Sequence, residues 1–375
     1  MHILEITSQE PDRHSGGGLG VLQTALSLTG ISDASVDYIG PEITDQKIKA
    51  LYRNCYELAP DYQILHRMIN LAHGITNARY NSWKHLNINF DAYDYIVMDF
   101  TKLDYVLKKI NPERLFVRVH NIEVDYAQRD YATNKSQEKR IIAKLAHKQE
   151  QRIVNSAHRL VALTEHDKKR LIQLYAVDAN KIDIIPVCLE QPSNFEHKHR
   201  DRNIINILIT GSLWFGENAN GVKWFIAKVL PFLDFDYHLT IAGAHPSDEI
   251  KELVKHDQSI TLVDTPDNMI PYFDGADIVA CPIFNGAGMK VKVAEALSYG
   301  LPVVGTEHAF VGYNIHNGID SYEANSENDF ADALNRYAGM SPQERQQVCD
   351  NALHLFRNDY SIDTSIRRWS ETLTK

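Results

Sequence analysis

The residues best suited to chemistry lie in one stretch, PIFNGAGMKVKVAEALSYGLPVV at 282–304. An apolar run ends at Pro282, and Asn285, Gly286, Ala287 and Gly288 follow as a tight small-residue loop. A helix is expected to begin with Met289-Lys290 and to carry Glu295. A small-residue loop opening onto a helix N-terminus presents backbone N–H groups to an anion such as a diphosphate. Lys290 and Lys292 add positive charge beside it. Glu295 follows Lys292 by three residues and can be its helical neighbour. A carboxylate near a nucleotide commonly accepts hydrogen bonds from ribose hydroxyls. The bland alternative is a solvated Lys/Glu pair on a surface helix.

Two further constellations stand near the N-terminus. Gly16-Gly17-Gly18-Leu19-Gly20 follows a first apolar run, Ile3 to Ile6, and precedes a helix expected from Val21 to Leu28. Glycines there let backbone amides approach a ligand. The dinucleotide fingerprint fails, since the sixth position from Gly16 is Val21, and no Gly-Lys-Ser/Thr exists for a P-loop. A flexible turn is the alternative. Arg118-Val119-His120-Asn121-Ile122-Glu123 places an imidazole just past another apolar run, RLFVRV at 114–119. A lone histidine is usually structural, but the end of a core strand is where a parallel sheet exposes its site.

Other patterns carry less. Asp234-Phe235-Asp236 fits a D-x-D metal pattern but reads as solvated carboxylates near a strand, and His197-Lys198-His199 binds metal only adventitiously. Glu123 and Asp125 have no partner identifiable from sequence. No G-x-S-x-G elbow occurs. Cysteines 55, 188, 281 and 349 have neither CxxC nor zinc spacing and read as reduced thiols of a cytosolic protein.

The elements that must position these groups follow from the alternation of apolar runs and amphipathic stretches. Strands are expected at Ile3–Ile6, Val36–Ile39, Asp94–Met98, Arg114–Val119 and His158–Leu163, and one long surface helix over 122–157. Thr164 is an N-cap for the helix that follows. The segment 184–203 breaks the rhythm with its prolines and charges. The alternation then restarts at Ile204, with a helix at Val222–Leu230 and strands at His238–Ala242, Ile260–Val263, Ile278–Cys281 and Pro302–Val304. This pattern implies an α/β protein of two doubly wound, Rossmann-like domains with parallel sheets, facing a central cleft. The expected division is residues 1–186, a linker at 187–203, residues 204–358, and a C-terminal helix at 359–375. That helix carries Ile366, Trp369 and Leu373 on one face and packs on either domain.

The chain has 375 residues, and Lys plus Arg of 39 against Asp plus Glu of 49 gives a net charge of −10. Length fits two domains, and the acidic balance argues against nucleic-acid binding. No apolar window reaches a membrane span, and Glu5 breaks the short N-terminal apolar stretch, which excludes a signal peptide.

Taken together, the chain resembles the two-domain (GT-B) nucleotide-sugar glycosyltransferases of the family 4 type over nearly its full length. The resemblance rests on the glycine run 16–20, RVHNIE, Val161-Ala162-Leu163-Thr164 and Ile185-Pro186-Val187. It rests most on ITGSLWFGENANGVKWFIAKVLP (209–231), LTIAGAHP (239–246) and ADIVACPIFNGAGMKVKVAEALSYGLPVVGTEHAFVG (276–312). It implies nucleotide-sugar contacts at Gly17, Gly18, Gly211, Val263, Asp264, Asn285, Gly286, Ala287, Gly288, Met289, Lys290, Lys292 and Glu295. His120, Lys290 and Glu295 would stand nearest the chemistry, with Glu295 on the ribose and Val263 and Asp264 near the base. It further implies retention of anomeric configuration, no metal and no cofactor. The donor is then a UDP-sugar, with a GDP-sugar as the alternative, and the acceptor a glycan or glycolipid of bacterial surface polysaccharide synthesis. The chain would be cytoplasmic, touching the inner face of the membrane through Asn77 to Phe90 of the first domain. Two departures stand out. Ala287 occupies the place of the first Glu of the family's E-x7-E pattern, and the loop Gly211–Glu217 lacks the usual Arg and Lys. A catalytically weak subunit that stabilises a partner transferase, and a nucleotide-sugar epimerase, are the competing readings.

Overall fold

The structure is a computed structural model and describes all residues except 14, 73–87, 193–203, 215 and 287. The chain divides into two compact units, Met1–Val187 with Ile362–Lys375, and Cys188–Ser361.

The first unit is built on β1 (His2–Ile6), β2 (Ser35–Gly40), β3 (Asn54–Glu57), β4 (Tyr95–Asp99), β5 (Leu115–Val119), β6 (Arg159–Ala162) and β7 (Ile182–Ile184). They form one seven-stranded sheet in the order β3-β2-β1-β4-β5-β6-β7. Every pairing in it is parallel. The central strands are buried on both faces, so they read as apolar runs rather than alternations. The helices are α1 (Gly16–Thr29), α2 (Gln46–Lys49), α3 (Ile64–Ala72), α4 (Glu123–Thr133), α5 (Gln137–Ser156) and α6 (Glu165–Tyr175). The order reverses between β1 and β4, which makes the carboxyl ends of these strands the natural ligand crevice.

Two expectations change here. The glycines 16–20 do not precede a helix; they are its first turn, capped by Ser15, whose Oγ accepts from Gly18 N at 2.9 Å. The stretch 122–157 is not one helix. Its charge periodicity runs on, but α4 stops at Thr133 and Ser136 caps α5, accepting from Lys139 N at 3.2 Å.

The second unit contains β8 (Ile205–Thr210), β9 (Tyr237–Gly243), β10 (Ile260–Asp264), β11 (Ile278–Cys281), β12 (Val303–Gly305) and β13 (Tyr322–Glu323). The order is β10-β9-β8-β11-β12-β13, again all parallel, with the reversal between β8 and β11. Its helices are α7 (Gly216–Lys228), α8 (Asp248–Val254), α9 (Ile270–Gly275), α10 (Val291–Ser298), α11 (Glu327–Ala338) and α12 (Pro342–Leu355). Helix α7 starts six residues before Val222, the expected start. Within the expected linker, Cys188 is buried and Leu189 N donates to Tyr360 O at 2.9 Å; 193–203, with His197–His199, lie outside the described residues.

The closing helix α13 (Ile362–Leu373) belongs to the first unit. Trp369 and Leu373 join the core face shared by Ile3, Leu22, Tyr38, Val97 and Phe116. Ser365 Oγ lies 2.7 Å from Ser27 Oγ of α1, and Gly30 has no side chain because Ile366 fills that space. Burying each large apolar side chain contributes about 1.5–3 kcal/mol, so this stripe alone is a large share of the unit's stability.

Candidate functional site

In the first unit, the end of β4 and the end of β5 bring Asp99 and His120 together. His120 Nε2 lies 2.6 Å from Asp99 Oδ1, which also accepts from Thr24 Oγ1 at 2.8 Å. Burial lowers the His120 pKa below its ordinary value, against the upward pull of Asp99. The imidazole is therefore neutral, and its Nε2–H donates to the carboxylate. That leaves Nδ1 as an acceptor, facing the first turn of α1. A Cβ on Gly20 would stand 2.7 Å from Nδ1, so this glycine is required by close approach. Phe100, next to Asp99, adopts φ +69 and packs its ring 4.4 Å from the imidazole. A bulky residue in the left-handed region costs on the order of 1–3 kcal/mol and is held by its surroundings.

Beneath the histidine lies a buried carboxyl pair that the sequence did not announce. Glu5 is fully buried in β1 and accepts from Tyr52 Oη at 2.9 Å. Its second oxygen, Oε1, and Asp99 Oδ2 are buried with no hydrogen-bond partner among the described residues. Burial first, then the Asp99 charge, pushes the Glu5 pKa well up. Two carboxylates this close share a proton, and Glu5 holds it. Arg118, opposite Asp99 in the β4–β5 register, is also fully buried, with its guanidinium 5.8 Å from the Trp369 ring.

Around this edge the remaining first-unit candidates find places. Side chains on Gly17 and Gly18 would run into Gln9 and Asp12 respectively. Glu123 pairs with Lys102 at 3.1 Å, and Asp125 holds Arg170 through two bonds of 2.7 and 2.8 Å. The start of α4 is fixed by Glu150 of α5. Its carboxylate accepts from Glu123 N, Val124 N, Thr101 Oγ1 and Tyr175 Oη, at 3.0, 3.2, 2.8 and 2.7 Å. Glu150 was missed because it is one charge among many on a charged helix.

In the second unit, the loops after β8 and β11 meet. Gly211, Gly286 and Gly288 have φ of +142, +109 and +66, conformations that favour glycine. Gly221 lets α7 approach the Pro282 carbonyl directly. Helix α10 begins at Val291, where its apolar pattern begins. Met289 is buried ahead of it and Lys290 is its N-cap, because the Tyr313 hydroxyl donates to Lys290 O at 2.9 Å and accepts from Ala294 N at 3.2 Å. Lys292 Nζ donates to Thr210 O and to Asn218 Oδ1, at 2.5 and 2.8 Å, which ties α10 to the β8–α7 loop. Its burial lowers its pKa, and it stands beside Gly211, whose Cβ would lie 2.6 Å from Nζ. Lys290 Nζ donates to Gly288 O at 2.9 Å. The Glu295 carboxyl accepts no hydrogen bond among the described residues, and burial raises its pKa against the pull of Lys292. Two residues were not foreseen: His308, held neutral by burial and Lys290, and Glu217, whose carboxyl would lie 3.3 Å from a Cβ on Gly286.

Asp264 ends edge strand β10, exposed, bound to Thr265 Oγ1 at 2.7 Å and to Lys251 at 3.0 Å, with Val263 before it. Asn285 is exposed in the loop, and Ala287 lies outside the described residues. Asp234 and Asp236 are exposed, and no group of metal-ligating side chains occurs among the described residues. The second unit thus presents amides, two lysines and an unengaged carboxyl at the reversal of its sheet, which suits a nucleoside diphosphate. The first presents a neutral imidazole at its own.

Residues 205–339 match the family model of glycosyl transferases group 1. Over that stretch, about a third of the chain, the second unit is similar to this family. The match spans the second unit's sheet, including Gly211, the 285–290 loop and Glu295. A 44.6 kDa protein of the cps region of Klebsiella pneumoniae is 26% identical over 284 residues, 72% of this chain and 71% of that one. Among solved structures, a glycosyltransferase from Rickettsia africae has a TM-score of 0.70 at 15% identity, covering 100% of this chain and 97% of its own. Anabaena HepE in complex with UDP-glucose has a TM-score of 0.61 at 14% identity, covering 99% of each chain. At these identities the structural likeness concerns the fold. The chain has the two parallel α/β sheets that the sequence pattern implied.

Proposed function

We propose that this glycosyltransferase moves a sugar from a UDP-sugar to a glycan or lipid-linked saccharide of the bacterial surface, with retention of anomeric configuration and without a metal. The observation that carries the reading is a Glu295 carboxyl that accepts no hydrogen bond among the described residues, on the helix that carries Lys292 and follows the left-handed glycine turn. Glu295 accepts from the ribose hydroxyls. Lys290, Lys292 and the α10 N-terminus meet the charge that develops on the departing diphosphate as the anomeric bond breaks. His120 Nδ1 accepts a hydrogen bond from a sugar hydroxyl in the first unit. The acceptor hydroxyl attacks from the face that the diphosphate leaves, and the leaving phosphate takes its proton, so no protein nucleophile is needed. The UDP-glucose complex of Anabaena HepE supports uridine as the base. The cps region of the Klebsiella relative supports a surface-polysaccharide acceptor.

No described helix is long and apolar enough to cross a membrane. Of the expected contact segment Asn77 to Phe90, residues 77–87 lie outside the described residues. The preceding α3 region exposes Tyr62, Ile64, Leu65 and Met68, each more than 60% accessible, which supports peripheral contact through the first unit.

A thermal-shift screen against UDP, GDP, ADP and CMP, with and without magnesium, tests the donor site. A nucleotide at 100 times its Kd adds about 2.7 kcal/mol. UDP should raise Tm without metal, and Glu295→Ala should weaken UDP by about 1–3 kcal/mol. The absence of a shift with every nucleotide refutes the reading. Sugar conversion without any acceptor points to an epimerase instead.

A further inference from the structure

We propose that Tyr313, braced by Tyr360, is a positioning residue for the diphosphate end of the donor: its hydroxyl sets the opening turn of α10, and with it Lys290 and the glycine turn before it. The inference rests on the glycosyltransferase reading and adds two side chains that act on the donor only through Lys290.

A helix ordinarily closes its first turn with a bond from its fourth amide to the cap carbonyl. Helices α4, α5 and α6 do so. Tyr126 N donates to Ile122 O at 3.0 Å, Arg140 N to Ser136 O at 3.1 Å and Lys168 N to Thr164 O at 3.0 Å. In α10 the Tyr313 hydroxyl stands in that place. It accepts from Ala294 N at 3.2 Å and donates to the Lys290 carbonyl at 2.9 Å. The same carbonyl accepts from Val293 N, one residue early, at 2.9 Å. A group inserted into the helical ladder reshapes the backbone locally, and here it does so at a cap that has no side-chain capping bond of its own. The Lys290 ammonium reaches back to Gly288 O at 2.9 Å. Lys290 therefore joins the Tyr313 hydroxyl to the left-handed positions Gly286 and Gly288.

Tyr313 is itself held. It is buried, and burial pushes its pKa well up, so the hydroxyl keeps the proton that it donates. Its ring packs 4.8 Å from that of the buried Tyr360. The Tyr360 hydroxyl accepts from Asn314 N at 2.6 Å and lies 3.5 Å from Gly312 O, so it braces the chain on both sides of Tyr313. Tyr360 ends a π-helical turn, Phe356–Tyr360, and its carbonyl accepts from Leu189 N at 2.9 Å. Such turns are rare and frequent at functional sites. Without the Tyr313 hydroxyl, Ala294 N must take the Lys290 carbonyl directly or stay unpaired, and either change moves Lys290. Donors fixed in advance hold charge best, so this movement weakens the grip on a diphosphate and spares the nucleoside.

Ligand-observed NMR titrations of UDP and of uridine on the full chain test this. Tyr313→Phe should raise the Kd of UDP by about fivefold or more, roughly the loss of one buried hydrogen bond, and leave that of uridine within about twofold. Tyr360→Phe should show the same split at about threefold or more. Added to Tyr313→Phe it should change UDP binding by no more than about twofold, because the two side chains act in series. Melting without ligand reports folding, and if Tyr313→Phe does not fold, the split in Tyr360→Phe decides. Equal weakening of UDP and uridine, unchanged UDP affinity, or effects of the two tyrosines that multiply overturns the inference. Each of these leaves the transferase reading standing so long as the wild type binds UDP; a wild type that does not bind UDP refutes that reading instead.

Discussion

Replacing Glu5 by glutamine should make the first unit more stable at neutral pH. Glu5 is buried against Asp99, and burial and that charge raise its pKa well above the ordinary 4.5. Between 4.5 and its folded value, the native chain therefore holds a proton that the unfolded chain has released. Stability falls as pH rises through that window, by up to about 1.4 kcal/mol per pH unit. Over the pH interval from 4.5 to 7, that slope caps the loss at about 3.4 kcal/mol. In Glu5→Gln the amide reproduces the protonated acid: its oxygen accepts from Tyr52 and its NH₂ donates to Asp99 Oδ2. The variant should match the wild type near pH 4.5 and gain progressively to pH 8. Urea unfolding at several pH values, followed by pulsed hydrogen exchange of peptides covering β1 and β4, isolates the first unit. A variant whose stability tracks the wild type at every pH, or which loses stability at pH 8, would refute the shared proton.

Two further outcomes follow from the same geometry. Glu150→Ala strips the acceptor from two hydroxyls and two α4 amides, and should destabilise the first unit by about 3–5 kcal/mol; urea unfolding checks it, and a loss under about 1 kcal/mol contradicts the capping role. Gly20→Ala drives a methyl against His120 Nδ1. Sugar transfer should fall about tenfold or more while UDP binding holds, and unchanged transfer removes His120 from the chemistry.

What the sequence revealed and what it hid have physical causes. Strands such as β1, β4, β5, β8 and β11 were legible because burial on both faces writes them as apolar runs. The early start of α1 was not, since glycine opposes helix formation; here the space taken by Gln9, Asp12 and His120 prevails over propensity. The break after Thr133 did leave a trace in Ser136, but the charged periodicity concealed it. His120, Gly211 and Glu295 announced themselves by standing after strands or in a helix's opening turns. The carboxyl pair could not, because Glu5 and Asp99 meet only through the β1–β4 pairing. A glutamate that interrupts an apolar run reads as an exposed interruption, whereas here it is the buried support of the histidine.

The return of α13 to the first unit has a consequence for how the chain is made. The core face of Ile3, Phe116 and Val161 lacks Trp369 until α13 leaves the ribosome. The whole second unit is synthesised in between. The nascent first unit must therefore wait with a face uncovered and the buried Arg118 guanidinium without its aromatic lid. The second unit, contiguous in the chain, can complete its core earlier. Synthesis thus finishes the domain that started first only after the one that started second, and a nonsense codon anywhere before Trp369 strands both the stripe and the site it supports.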